Sequence, residues 1–150
     1  MKKDYTNVIK KIDAIASKVY TDFEKHKIPN IELPTRTKSN IDFDEKLNVW
    51  KYGKNISERS AKSLKGAYML LRTMYMTEFI KNMINSEKSS TLREMYYISE
   101  GWDMAKFHSQ GESNLLAEDL ETITSCMRED FKLRPEEDGA RVMGNLTVEE

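Results

Sequence analysis

The residues with the clearest chemical potential lie in one short stretch, Thr91-Leu92-Arg93-Glu94-Met95-Tyr96-Tyr97-Ile98-Ser99. Thr91 followed three residues later by Glu94 matches a capping box, so a short helix is predicted to start there. At about 100° per residue, Leu92, Met95, Tyr96 and Ser99 share one mostly apolar side, whereas Tyr97 falls roughly 40° from Arg93. One tyrosine is therefore expected in the core. The other is expected on a polar stripe beside a guanidinium, at the i,i+4 spacing where helical side chains meet. An exposed phenol next to an arginine is the pair needed to attack a phosphodiester. The phenolic oxygen is the nucleophile, and the cation neutralises phosphate charge and favours the phenolate. A free phenol titrates near about 10, so the reaction also needs a base or a metal, and the local sequence shows no obvious one. The plainer reading is one packed ring and one surface ring, the common fate of a Tyr-Tyr pair on an amphipathic helix.

Other reactive side chains form weaker patterns. His26 and His108 have no second ligand at a productive spacing, which argues against zinc. Cys126 follows an apolar helix and reads as a packed thiol. Asp42-Phe43-Asp44 and Glu136-Glu137-Asp138 read as solvated surface or turn acids rather than a metal site. Met69, Met74, Met76 and Met83 read as core filler, and no Gly-rich loop is present to cradle a phosphate.

The elements that must position Arg93 and Tyr97 follow from periodicity. Val8, Ile12, Ile15, Val19 and Phe23 mark one face of an amphipathic helix that ends near His26, before Ile28-Pro29. Ile31-Glu32-Leu33 and Ile41-Asp42-Phe43 alternate as strands with one buried face, and Val49-Trp50-Lys51-Tyr52 is β-prone up to Gly53. This part reads as an extended arm, with a basic connector at Thr35-Arg36-Thr37-Lys38-Ser39-Asn40. A long helix is predicted from Ser57 or Ser60 to about Asn85, with Leu64, Tyr68, Leu71, Tyr75, Phe79 and Met83 on its packed side. Gly66 weakens its first turns by roughly 1 kcal/mol relative to alanine. A further helix runs from about Ser113, with Leu116, Leu120 and Ile123 buried and Met127 just beyond. After Pro135, residues 139–148 suggest two short strands joined through Gly144-Asn145. Three helices followed by a β-hairpin is the order of a winged helix-turn-helix (CAP-like) module. The expected fold is therefore mainly α with a small β-hairpin. It divides into an N-terminal helix and extended arm over 1–56 and a winged-helix domain over 57–150.

The chain has 150 residues and a formal net charge of -1, with 39% hydrophobic and 33% charged residues, enough for a core and a solvated surface. One cysteine excludes an internal disulfide framework and argues for a reducing, cytoplasmic setting; no stretch has the apolar length of a membrane span. The total hides an asymmetry: residues 1–75 carry 16 basic and 9 acidic side chains, or +7, and residues 76–150 carry 8 and 16, or -8. Glu118, Asp119 and Glu121 make the predicted 113–125 helix acidic, which suits a DNA-reading helix poorly. A positive groove would have to draw on Arg93, Lys106, Arg128, Arg141 and the basic arm. Glu149-Glu150 follows directly on a predicted strand, which suggests a further element beyond it.

Ser90-Thr91-Leu92-Arg93-Glu94-Met95-Tyr96-Tyr97 resembles the catalytic-tyrosine motif of the type IIB DNA topoisomerases, the family that includes Spo11 and the DNA-cleaving A subunits of topoisomerase VI: an arginine, two residues, an aromatic, then the tyrosine. Ile31 to Ile41, Arg59-Ser60-Ala61-Lys62 and Ala105-Lys106-Phe107-His108 are similar to the archaeal A subunits. So are Arg128-Glu129-Asp130-Phe131 and Pro135 to Ala140, all in the family's order. The resemblance implies a CAP-like winged helix carrying the nucleophile Tyr97, with Arg93 next to the scissile phosphate; Lys106 and Arg141, by their charge, are expected as further DNA contacts. It implies transesterification to a 5′-phosphotyrosyl link, reversed on resealing, with passage of a second duplex of double-stranded DNA. It also implies Mg2+ held by a Toprim domain beyond this chain, and ATP bound by a separate ATPase, the B subunit, that docks on the region before residue 57. A second copy of the DNA-cleaving chain would complete an A2B2 heterotetramer acting at the nucleoid, the 150 residues alone being inactive. The reading from a different class is a winged-helix DNA-binding protein without chemistry, in which Tyr97 is an ordinary surface residue.

Overall fold

Apolar residues every three or four positions give α1 (Thr6–Glu24) a packed face of Val8, Ile12, Ile15 and Val19, as predicted. The computed structural model of the protein describes residues 4–134. Phe23, expected on the same face, is exposed; its neighbour Asp22 is buried instead, bonded to Lys18 and to the Asn30 amide. The chain then forms β1 (Asn30–Pro34), β2 (Ile41–Asp44), β3 (Val49–Tyr52) and β4 (Ile56–Ser60). β1 pairs antiparallel with β4, Ile31 opposite Arg59, so residues 56–60 are a strand and not the start of the long helix. Ile31 and Leu33 are buried and Glu32 is exposed, as their alternation predicts. β2 and β3 form a separate hairpin with Phe43 opposite Trp50, and the expected buried face is absent there: Ile41, Phe43, Trp50 and Tyr52 are all exposed.

The long helix α2 (Leu64–Asn85) starts where Ser63 accepts a hydrogen bond from the Gly66 amide. Gly66 has a packing reason: a Cβ there would stand 1.8 Å from the Ser60 carbonyl oxygen, where β4 ends against the helix. The packed face is rotated by about one position from the predicted stripe. Leu70, Met76, Ile80, Met83 and Ile84 are buried, while Leu64 and Leu71 are exposed. Thr73 and Thr77 enter the core because their hydroxyls donate to the Met69 and Met74 carbonyls, leaving no unsatisfied donor. Tyr75 and Phe79 lie at the border of this face, against Trp102 at 5.5 and 6.2 Å between ring centres.

After α2 come β5 (Ser90–Thr91), α3 (Leu92–Ile98), a 3-10 segment from Ser99 to Ala105, and α4 (Gln110–Thr124), which begins earlier than the predicted Ser113 because Ser109 caps it. Leu116 and Leu120 are buried as expected, Ile123 is half-buried and Met127 is exposed. β6 (Leu133–Arg134) pairs parallel with β5, setting Arg134 opposite Thr91. The described residues are thus predominantly helical, and the core is built mainly from α1, α2, α3 and α4. The predicted hairpin over 139–148, Arg141 and Glu136-Glu137-Asp138 lie outside the described residues.

Candidate active site

Three local interactions fix α3. The Thr91 hydroxyl accepts from the Glu94 amide at 3.1 Å, and the Glu94 carboxylate accepts from the Thr91 amide at 2.7 Å, completing the capping box. Leu92 and Met95 anchor the helix in the core. Ser99 is fully buried at its end, donating to the Tyr96 carbonyl and accepting from the Phe107 amide. With α3 held this way round, Tyr96 is half-buried and Tyr97 is 53% exposed, the two rings 5.4 Å apart. The Arg93 Nε donates to the Tyr97 phenolic oxygen at 3.5 Å. The structure therefore brings together the two residues the sequence paired, with the phenol in solvent and the guanidinium at its oxygen.

Glu94, one turn before Tyr97, is no base for this phenol. Hydrogen bonds from the Thr91 amide, the Thr91 hydroxyl and the Ser90 hydroxyl hold its carboxyl below the ordinary carboxylate value, with the Arg134 charge adding to them. Its Oε2 is committed to the cap, accepting from the Thr91 amide at 2.7 Å and the Ser90 hydroxyl at 3.4 Å. A groove of about 400 Å3 opens beside Tyr97, lined by Phe79, Met83 and Ile98 and by Lys88, Ser89 and Glu94.

Lys106 is exposed beyond the far end of α3, its carbonyl accepting from buried Arg72 at 2.9 Å. Other residues proposed for a positive groove are engaged with acids. Arg128 pairs with Glu121 at 3.2 Å. Asp119 is 1% exposed and receives Arg36 at 2.7 Å and Arg59 at 3.0 Å, while Glu118 takes the other nitrogen of Arg36 at 2.7 Å. The acidity of α4 and the basicity of the arm thus meet inside the fold, and α4 does not present three unpaired carboxylates to solvent. Sequence reasoning missed this clamp, and also missed Arg134 beside the α3 cap.

Among the described residues no group of three or more His, Cys, Asp or Glu side chains could hold a metal ion. Asp44 is paired with Lys51 at 2.6 Å, and that hydrogen bond lowers its pKa. His108 stands 3.0 Å from Arg72 and 3.5 Å from Glu112; Cys126 is half-buried, 3.7 Å from the Lys11 ammonium. Met76 and Met83 are buried and Met69 and Met74 pack against the core. Among the described residues no helix is long and apolar enough to cross a membrane.

Residues 68–133, which include all of α3 and α4, match a family model described as type IIB DNA topoisomerase. Similar curated proteins are named as A subunits of type 2 DNA topoisomerase 6. The protein from Methanosarcina mazei is 52% identical over 141 residues, covering 93% of this chain and 38% of the relative. That from Archaeoglobus fulgidus is 48% identical over 150 residues, covering 100% of this chain and 42% of the relative. That from Halobacterium salinarum is 48% identical over 149 residues, covering 98% and 41%. The chain spans about two fifths of the length of the curated relatives it matches.

Proposed function

Since the chain belongs to the type IIB DNA topoisomerase family, with the A subunits of topoisomerase VI as its relatives, we propose that Tyr97 is the nucleophile of a reversible DNA-cleavage reaction. The observation that carries this reading is the solvent-exposed phenol with the Arg93 guanidinium at its oxygen. The phenolic oxygen attacks a backbone phosphorus, the bond from phosphorus to the 3′ oxygen breaks, and a 5′-phosphotyrosyl ester and a free 3′-hydroxyl result. The phenolic proton leaves the nucleophile and the departing oxygen takes one up, so charge balances. Arg93 offsets the charge that builds on the non-bridging oxygens and favours the phenolate. The ester retains the bond energy, so the 3′-hydroxyl reseals the break by the reverse step.

In this reading the wider assembly is the one the family resemblance implies. A CAP-like winged helix over 57–150 carries Tyr97 and contacts double-stranded DNA through Arg93, Lys106 and Arg141. Magnesium is held by a Toprim domain beyond these residues, and ATP by a separate ATPase chain docked on the region 1–56. Two A and two B subunits pass one duplex through another at the nucleoid. The exposed Tyr20 and Phe23 of α1, with Ile28 in the connection to β1, supply apolar surface for the docking. A purely DNA-reading role is the weaker alternative, because α4 offers acids held by Arg36, Arg59 and Arg128 where a reading helix needs free donors.

The test compares Tyr97→Phe with Tyr96→Phe in the complete enzyme, trapping protein–DNA adducts with denaturant. Tyr97→Phe is expected to abolish the adduct and Tyr96→Phe to keep it. Adducts that survive Tyr97→Phe reject the assignment.

A further inference from the structure

We propose that the groove between the end of α2 and α3 is a nucleotide subsite, taking the deoxynucleotide that flanks the scissile phosphate, with Lys88 and Arg134 as its phosphate-binding cations. The inference rests on Tyr97 as nucleophile and adds where the strand must run. A DNA strand carries a phosphate at every nucleotide, so a strand that presents one phosphorus to Tyr97 has to cross at least one flank of the phenol. Arg93 occupies one flank of Tyr97 on the helix surface, about 40° away, and Glu94 the other, about 60° away. The groove opens on the Glu94 flank and Tyr97 itself lines it. Its volume of about 400 Å3 falls within the ~300–1,000 Å3 span of small-ligand sites.

The lining fits a deoxynucleotide. Phe79, Met83 and Ile98 give an apolar wall, which suits a sugar with no 2′-hydroxyl to satisfy. Lys88 is exposed on the loop that follows α2 and lines the same groove. The parallel pairing of β5 with β6 brings exposed Arg134 opposite Thr91, close enough for its charge to act on Glu94. Glu94 is the one carboxylate lining the groove, and its Oε2 accepts from the Thr91 amide and the Ser90 hydroxyl. Lys88 and Arg134 against Glu94 leave this flank of Tyr97 with a net positive charge, the sign a second phosphate requires. Lys88 in the groove, Arg134 beside the start of α3 and Arg93 on the other flank would hold consecutive phosphates with the phenol between them.

The experiment measures binding of a short DNA duplex to the complete enzyme across a salt series, alongside the denaturant-trapped adduct. Lys88→Ala and Arg134→Ala are each expected to weaken binding uniformly across sequences and to reduce the slope of log affinity against log salt by about 0.9. Lys88→Arg should restore the slope, and Ile98→Asp, which puts a carboxylate in the groove, should cut adduct yield several-fold. Lys62→Ala, before the opposite end of α2, should leave the slope unchanged. Unchanged slopes for both Lys88→Ala and Arg134→Ala overturn the subsite, as does an equal loss in Lys62→Ala. Either result leaves the nucleophile intact if Tyr97→Phe still abolishes the adduct. An adduct that persists in Tyr97→Phe instead removes the cleavage reading, whatever the slopes show.

Discussion

Replacing Asp119 by alanine tests how the N-terminal strands are bound to the helix that follows the candidate nucleophile. Asp119 is 1% exposed and accepts three hydrogen bonds from two arginines, at 2.7 Å from Arg36 and 3.1 and 3.0 Å from Arg59. Removing one partner of a buried ion pair costs about 3–5 kcal/mol, because the remaining charge is left desolvated. Here both guanidiniums keep part of their solvent contact and Arg36 retains Glu118. The expected loss is therefore smaller, about 2–3 kcal/mol. At roughly 2–4 °C per kcal/mol for a chain of this size, the melting temperature should fall by about 5–10 °C. Urea unfolding of Asp119→Ala, Arg59→Ala and the double variant separates the pair from its surroundings. The two single losses should be strongly non-additive, with a coupling above about 1 kcal/mol. A loss under about 1 kcal/mol for Asp119→Ala, or additive losses, would refute the clamp as a structural tie.

Further outcomes follow from single contacts. Gly66→Ala should destabilise despite the ~1 kcal/mol gain in helix propensity, since the added Cβ meets the Ser60 carbonyl at 1.8 Å and forces α2 away from β4. Thermal unfolding checks the sign. Because hydrogen bonds hold the Glu94 carboxyl below its ordinary value, its ionised form stabilises the fold above the ordinary carboxylate pKa. That contribution disappears as pH falls through the lowered one. Glu94→Gln should lower stability at neutral pH and flatten this part of the acid-unfolding curve, with little change at its acid end. Phe23→Glu and Tyr20→Glu, at exposed positions of α1, should reduce co-purification of the proposed ATPase partner without lowering the melting temperature. Unchanged co-purification counts against docking through this helix.

Local periodicity carried most of what could be read in advance. The α3 capping box and the separation of Tyr96 from Tyr97 depend on residues within eight positions of one another, and the structure holds them as expected. The α2 face was harder. Thr73 and Thr77 look polar in the sequence, yet each hydroxyl is satisfied by a carbonyl of its own helix and can be buried, which turns the packed side away from Leu64 and Leu71. β4 escaped notice because Ile56–Ser60 carries little apolar patterning; its partner β1 supplies the ladder that defines it. The role of Asp119 was illegible for a different reason: Arg59 and Arg36 are 60 and 83 residues away along the chain, and charge pairing at that range leaves no periodic trace. The same holds for Arg134, brought to the α3 cap by a two-residue parallel pairing.

Peptide mapping of the covalent complex bears most directly on the central claim. DNA incubated with the full-length protein is quenched with denaturant, any covalent adduct is digested to a nucleotide stub, and the modified tryptic peptide is sequenced by mass spectrometry. The stub is predicted on the Tyr97 oxygen. A stub on Tyr96, or on a peptide outside α3, would contradict the assignment.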